Sequence, residues 1–444
     1  MKNIRKVSLY LSAPVLLTFL TGLFLKNEVL WQPALVFGLA LLTIGLGAIE
    51  KLAGYQYTGW IIVAVVAGLT YPQNFTQWGD FNLRDKFVIL CIVQLVMFGM
   101  GTKMSIKDFS AIGSSGKGVL VGLVSHFTVM PTVGYLLTRI FHFEPEIAAG
   151  VILIGCCSSG LASNVMVYIA KANLILSVTV TAVATIVAPF LTPLLMKFLA
   201  GALIEVKFSE MMQEIIKIVI IPISAALFHD YLKTADAKGK KTVFTLFGIA
   251  AVWLVIFGVF AKGYSESNFG EHGQEAVVMF SYLMGAIIVG VLYHQLYRMY
   301  PKLDKIMPYF SMFGIIYFTL ISTAAGRDNL LQVGFILFLA AAIHNALGYF
   351  FGYWMARALK MNKPDARTIA FEVGLQNGGM ASGIAGSMGK LGTVGLAAAV
   401  FSPWMNISGS ILANYWGRKA EREKRELETD AANATDDKKN LIVE

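Results

Sequence analysis

Long apolar runs alternate with short polar segments from residue 7 to residue 416. The runs fall near 7–25, 30–49, 57–71, 87–101, 116–140, 146–170, 174–200, 208–232, 241–262, 276–297, 307–324, 331–356, 365–388 and 393–416. Most have the ~17–25 residues that a tilted membrane-crossing helix needs, so the pattern predicts about fourteen transmembrane helices in an all-α polytopic membrane protein. The run at 57–71 is short, and 365–388 is the least hydrophobic. After Trp416 the apolar period stops. Residues 417–444 are charged and read as a short surface helix followed by disorder.

One run breaks the pattern from inside. Phe371-Glu372-Val373-Gly374-Leu375-Gln376-Asn377-Gly378-Gly379 places a carboxylate, two amides and three glycines at membrane depth. A bilayer interior penalises an unpaired acid by roughly 2.5–3.5 kcal/mol. It also penalises backbone that leaves a helix without new partners. Such a segment is tolerated where it lines a cavity or holds an ion. The plain alternative for Glu372 is an acid that snorkels to a helix end, with Arg367 five residues before it.

The interruption has a counterpart. At an offset of 219 positions, Gly155 aligns with Gly374, Gly160 with Gly379, Ser163 with Ser382 and Lys171 with Lys390. At 218, His126 aligns with His344 and Gly134 with Gly352. Seven expected helices separate the blocks, and an odd number inverts the second relative to the first. Gly-interrupted segments at matching places in two inverted halves point to a transporter site. An interrupted helix offers N–H groups to an anion at one new end and carbonyls to a cation at the other. Taken alone, each glycine is as well explained by close helix packing.

Other polar groups bear on this site. Gln376 lies one turn after Glu372 and can face the same cavity. Ser163 and Asn164 follow the first interruption. Ser177, Thr181 and Thr185 set a hydroxyl on every fourth residue of the next run. Such a stripe is most often structural. Beside Ser163, Asn164 and Glu372 it becomes the neutral-oxygen half of a cation site. His126 is an intramembrane imidazole, either a hydrogen-bonded packing residue or a group that can carry charge. His344-Asn345 reads as an interhelical hydrogen-bonding pair, and Lys217 as a snorkelling side chain or a partner of Glu214.

Composition agrees with the pattern: 56% hydrophobic residues, 14% charged, mean hydropathy +0.65. With the N-terminus inside, most of the 36 Lys and Arg fall on the cytoplasmic side, while the opposite loop at Glu266, Glu271 and Glu275 is acidic. The positive-inside rule therefore places both termini in the cytoplasm of a multi-pass inner-membrane protein. The net charge of +9 reflects this bias and argues against a nucleic-acid partner. Cys91, Cys156 and Cys157 all lie in spans, and the vicinal pair reads as small packing residues. No nucleophile–base pair or metal motif points to an enzyme, and no soluble domain points to a sensor.

From residue 58 onward the chain resembles the bile acid:sodium symporter family. The matching motifs are Met97-Phe98-Gly99-Met100-Gly101-Thr102 with Asp108-Phe109, Ser163-Asn164-Val165 with Ser177 and Thr181, and Ala188-Pro189-Phe190-Leu191-Thr192-Pro193. They continue with His344-Asn345, Glu372-Val373-Gly374-Leu375-Gln376-Asn377 and Asn406-Ile407-Ser408-Gly409-Ser410. The resemblance implies ten family-like helices in two inverted repeats, with a core domain of two crossing broken helices and a panel domain. Residues 57–200 would form the first repeat and 208–416 the second. The four extra helices would be two within 1–50 and two within 241–297, giving panel packing or a homodimer contact, with 417–444 a cytoplasmic tail.

The resemblance also implies sodium as the coupling ion, with no other metal and no cofactor. One Na⁺ would be held by Ser163, Asn164, Ser177, Thr181 and Glu372. A second would use Glu372, Gln376 and the carbonyls of Val373 and Leu375. The substrate, a small carboxylate or bile-acid-like organic anion, would lie near Asn377, Gly378, Ser159 and Leu161. Two departures matter. His126 stands where the family pattern has a Gln of the second Na⁺ site, which admits a proton, and Ser158-Ser159 replaces the usual Pro-Gly at the first interruption. The expected function is Na⁺:organic anion symport by alternating access. The alternatives are proton coupling through His126 and Glu372, or a sensor that uses the same cavity.

Overall fold

The structure, a computed structural model, describes residues 2–49, 52–110, 112–260 and 270–443. The acidic loop around Glu266 lies outside them. The chain is an all-α polytopic membrane protein. Among the described residues ten helices are long and apolar enough to cross a bilayer.

Helices α1 (Lys2–Phe24) and α2 (Glu28–Leu46) form an antiparallel hairpin. Its backbones approach closely, because a Cβ on Gly45 would lie 2.7 Å from Leu9 Cα. Next come α3 (Gln56–Thr70), α4 (Lys86–Gly101), the short α5 (Ile106–Ser110) and α6 (Ile112–Phe141). Helices α7 (Pro145–Cys156) and α8 (Leu161–Ile169) precede α9 (Leu174–Ala200). Helices α10 (Phe208–Ile215) and α11 (Ile221–Thr234) are joined by a π-helical turn at Ile216–Ile220. Helices α12 (Ala237–Phe260) and α13 (Gly270–Met299) come before α14 (Leu303–Ala325) and α15 (Arg327–Ala358). The chain continues with α16 (Lys363–Gly374), α17 (Gly378–Ser387) and α18 (Val394–Val443).

Four expected spans differ from simple crossing helices. The run at 57–71 gives the 15-residue α3. The run at 87–101 gives the 16-residue α4, about 24 Å long at 1.5 Å per residue. The runs at 146–170 and 365–388 are each split into two short helices. The tail also differs from expectation: α18 continues as helix to Val443. Its Ala, Glu, Lys and Arg residues are strong helix formers, which outweighs the lack of an apolar period. Its first turns are held by charge, with Glu421 2.6 Å from Lys171 and Glu423 3.2 Å from Arg367.

The split helices lie at the centre. Helices α6, α9, α15 and α18 surround them, and α4 covers α17. Met97, Met130, Phe371 and Phe401 are fully buried there. Close packing of α7 on α18 depends on Gly150, where a Cβ would stand 2.3 Å from the Val394 carbonyl oxygen. Overpacking against backbone costs about 1–3 kcal/mol, more than the ~1 kcal/mol that alanine gains over glycine in a helix. Gly150→Ala should therefore lower the thermal midpoint of the detergent-solubilised protein by several degrees. Gly248→Ala, where a Cβ meets nothing within 4 Å, should hold or raise it. Equal midpoints for the two variants would show that α7 and α18 separate without loss.

Candidate functional site

Both splits expose backbone groups that a continuous helix would pair. After α7, Cys157 turns extended (φ −73°, ψ 160°), and Gly160 is still extended when α8 begins. After α16, Leu375 is extended (φ −106°, ψ 109°). The second interruption occupies Leu375–Asn377, directly before the glycine pair rather than at it. Asn377 caps α17, its Oδ1 accepting from the Met380 N–H at 3.0 Å, so Gly378 and Gly379 fall inside the first turn.

The two extended stretches run antiparallel against each other. Ser159 pairs with Gln376, and the Asn377 N–H donates to the Ser158 carbonyl at 2.8 Å. Side chains from the surrounding helices meet other freed carbonyls. Thr192 Oγ1 of α9 donates to the Cys156 carbonyl at 2.7 Å, and Asn345 Nδ2 of α15 to that of Gly374 at 2.8 Å. Gln376 Nε2 reaches back to the Val373 carbonyl at 2.7 Å. The His126 ring of α6 bridges both splits: Nε2 is 2.7 Å from the Cys157 carbonyl oxygen and Nδ1 is 2.8 Å from that of Glu372.

The Glu372 side chain is fully buried where the splits cross. Its Oε1 lies 2.5 Å from Ser177 Oγ, and its Oε2 lies 2.7 Å from Ser159 Oγ and 2.8 Å from Thr181 Oγ1. Asn164 Oδ1 is 2.7 Å from Ser177 Oγ and 3.5 Å from Thr181 Oγ1. Ser163 Oγ is 3.4 Å from Thr181 Oγ1 and donates to the Gly160 carbonyl at 2.8 Å. Ser177 has one hydroxyl proton for two acceptors, the Glu372 carboxylate and the Asn164 amide oxygen. The cluster thus has more oxygen lone pairs than hydroxyl protons to fill them. Arg367 does not answer this carboxylate, because it pairs with Glu423 at 3.2 Å.

Thr185, third in the hydroxyl stripe, stays outside the cluster and donates to the Thr181 carbonyl of its own helix at 2.7 Å. Ser159, expected beside the anion, turns its hydroxyl to Glu372 instead. Gln376 is buried, and among the described residues its Oε1 has no hydrogen-bond partner. The Leu375 and Val373 side chains are buried in the core. Asn377 and Gly378 open α17, and Leu161 opens α8. Asn377 Nδ2 lies 3.8 Å from Met100 Sδ on α4.

The sequence is similar to those of known proteins. The model of the sodium bile acid symporter family matches residues 88–266. An uncharacterized sodium-dependent transporter of Bacillus subtilis, YocS, is 30% identical over 377 residues, covering 85% of this chain and 95% of the relative. A probable chloroplastic sodium/metabolite cotransporter of Arabidopsis thaliana, BASS1, is 26% identical over 82% of this chain and 74% of its own. The human ileal sodium/bile acid cotransporter is 24% identical over 65% of this chain and 66% of its own.

The second split depends on Asn345, which is itself held by Ser408, whose Oγ donates to Asn345 Oδ1 at 2.5 Å. Asn345→Ala strands the buried Gly374 carbonyl, at a cost of about 1–3 kcal/mol. The detergent thermal midpoint should fall clearly for Asn345→Ala and only slightly for Ser408→Ala. The double variant should fall no further than Asn345→Ala alone. Additive losses would mean that Ser408 acts independently of Asn345.

Proposed function

The chain belongs to the sodium bile acid symporter family, and from that premise we propose that it couples Na⁺ to the uptake of a small organic anion by alternating access. Membership makes it a sodium-dependent transporter rather than an enzyme, with Na⁺ as the coupling ion. The observation that carries the finer reading is the oxygen cluster around Glu372. Among the described residues Glu372 is the only buried carboxylate. It lacks a basic partner and faces surplus oxygen lone pairs from Ser159, Ser163, Asn164, Ser177 and Thr181. A hard monovalent cation would balance the single negative charge and fill those lone pairs.

In this reading α3–α9 and α10–α18 are inverted repeats with the hairpins α1–α2 and α12–α13 added. Helices α6–α9 and α15–α18 make the core, while α3, α4, α10–α11 and α14 make the panel. Both termini are cytoplasmic in an inner membrane. Rocking of panel on core exposes the crossing to either side in turn. The anion lies in the seam at Asn377, Gly378 and Leu161, where two helix N-termini present N–H groups to a carboxylate. A metabolite acid and a bile-acid-like acid both satisfy that chemistry.

At the second family-like Na⁺ position the Val373 carbonyl is already engaged, and the His126 imidazole stands where the family pattern has a Gln. Val373 accepts from Gln376, and the two His126 ring nitrogens lie within 2.8 Å of the Cys157 and Glu372 carbonyl oxygens, one of which a neutral imidazole can hydrogen-bond. In this reading the cycle carries one Na⁺. Direct ²²Na⁺ binding to purified protein should give a Hill slope near one, and His126→Gln should raise it towards two. A slope of two in the wild type would return the second site to this chain. Uptake driven by a proton gradient without Na⁺ would favour proton exchange at His126 and Glu372.

Glu372→Gln keeps the shape of the side chain and removes its charge. Na⁺ binding and Na⁺-driven counterflow in proteoliposomes should be abolished while the protein stays monodisperse. Ser177→Ala removes one neutral oxygen and should weaken Na⁺ by about ten-fold, in the range of one hydrogen bond to a charged group. Wild-type Na⁺ dependence in Glu372→Gln would take Glu372 out of the ion site.

A further inference from the structure

Helix α17 lies along α4 with its glycines facing inward. A Cβ on Gly379 would come within 3.2 Å of Val96, one on Gly383 within 2.5 Å of Val93, and one on Gly386 within 2.6 Å of Ile89. The two helices therefore meet over most of the length of α17. Beside this contact the seam opens into a cavity of about 340 Å³, lined by Lys86 and Val93 of α4, Glu214 and Lys217 near the π turn, and Gly383 and Ser387 of α17. Gly383 is six residues beyond Asn377, about 9 Å along the helix. The cavity thus stops short of the proposed anion site, and the contact of Gly379 and Gly383 with Val96 and Val93 closes the gap.

The charges in this cavity are unequal. Lys217 Nζ lies 2.9 Å from Glu214 Oε1, with the lysine side chain 21% exposed. Among the described residues no carboxylate pairs with Lys86. Exposed Lys86 at the rim, partly buried Lys217 and one carboxylate leave a net positive charge at the cavity, whose apolar wall helps to focus the field. Lys217 is also held from behind, since Gln94 Nε2 of α4 donates to its carbonyl at 3.1 Å. This bond fixes the π turn to α4 while leaving the ammonium group in the cavity.

We propose that this cavity is an anion-collecting vestibule, in which Lys86 and Lys217 hold the carboxylate or sulfonate of a small organic anion ahead of the closed seam. The proposal rests on the symport reading and adds the cationic groups that admit the substrate. The anion displaces Glu214 from Lys217, and opening of α17 from α4 then passes it towards Asn377. Glu214 acts as an internal competitor that keeps Lys217 compensated between substrates.

The test needs no identified substrate. Ser387→Cys in a Cys91→Ser background puts a thiol on the cavity wall, while Cys156 and Cys157 are buried. Its reaction rates in the purified full-length protein are measured with sulfonatoethyl methanethiosulfonate (negative) and trimethylammonioethyl methanethiosulfonate (positive). Each is normalised to the neutral methyl reagent, which reports access alone. The anionic reagent should be favoured. Lys86→Met and Lys217→Met should each lower the anionic-to-cationic ratio by about ten-fold, as expected for one unit charge a few ångströms away in a partly screened cleft. Lys217→Arg should keep the ratio, and Glu214→Gln should raise it. Equal ratios in the parent and both methionine variants overturn the vestibule. If Na⁺-driven counterflow is then still present, symport stands without it. Charge-dependent labelling in a protein with no Na⁺-driven transport would keep the cationic cavity and remove the symport reading.

Discussion

Two peptide segments leave helical geometry deep inside an apolar assembly, and each becomes the partner of the other. Without water at that depth, an unpaired N–H or carbonyl costs several kcal/mol. The pairing of Ser159 with Gln376 and the bond from Asn377 to Ser158 meet this constraint and set the register of the crossing. The side chains follow from it. Asn173 caps α9 through the Leu176 N–H, and its Nδ2 donates to Asp365 near the start of α16 at 2.7 Å. One residue thus aligns the helix of Ser177 with the helix of Glu372. Four residues on from Asn173 and seven on from Asp365, the hydroxyl and the carboxylate meet.

Much of this arrangement was legible in the chain. The four-residue spacing of Ser177 and Thr181, a carboxylate in an apolar run and the shared offset between the interruptions all survive as residues in one cluster. Three features were not legible. Gly378-Gly379 looks like the interruption, but a capping asparagine begins a helix more strongly than glycine ends one, so the split lies directly before the pair. The contacts of His126 are made to backbone carbonyls, which every residue carries alike, so no side-chain pattern could announce them. Ser159 has the same difficulty. A serine next to a split has no periodicity to show which way it turns.

The hairpins α1–α2 and α12–α13 differ in how they join the rest of the chain. Helix α2 reaches α3 through Gln56, whose Nε2 donates to the Thr43 carbonyl at 3.1 Å. Helix α13 packs on α11 where a Cβ on Gly290 would stand 2.4 Å from the Ala225 carbonyl. At the end of the same pair, His229 meets Asp304 at 3.2 Å and His294 at 3.3 Å, and Tyr293 donates to Asp304 at 3.0 Å. The second hairpin is therefore anchored by polar contacts as well as apolar packing. Among the described residues its packing partners are α11, α14 and, through Phe98 against Tyr293 at 4.8 Å between ring centroids, α4.

The position of His126 across the crossing reaches beyond ligand geometry to energetics. In the proposed symport, one sodium ion moving with one monocarboxylate would carry no net charge through the bilayer. Such a cycle is blind to membrane voltage, which would otherwise contribute about 2.3 kcal/mol per charge for each 100 mV. Accumulation is then limited by the sodium concentration ratio alone. A cell whose voltage collapses while its sodium gradient persists would keep this uptake running.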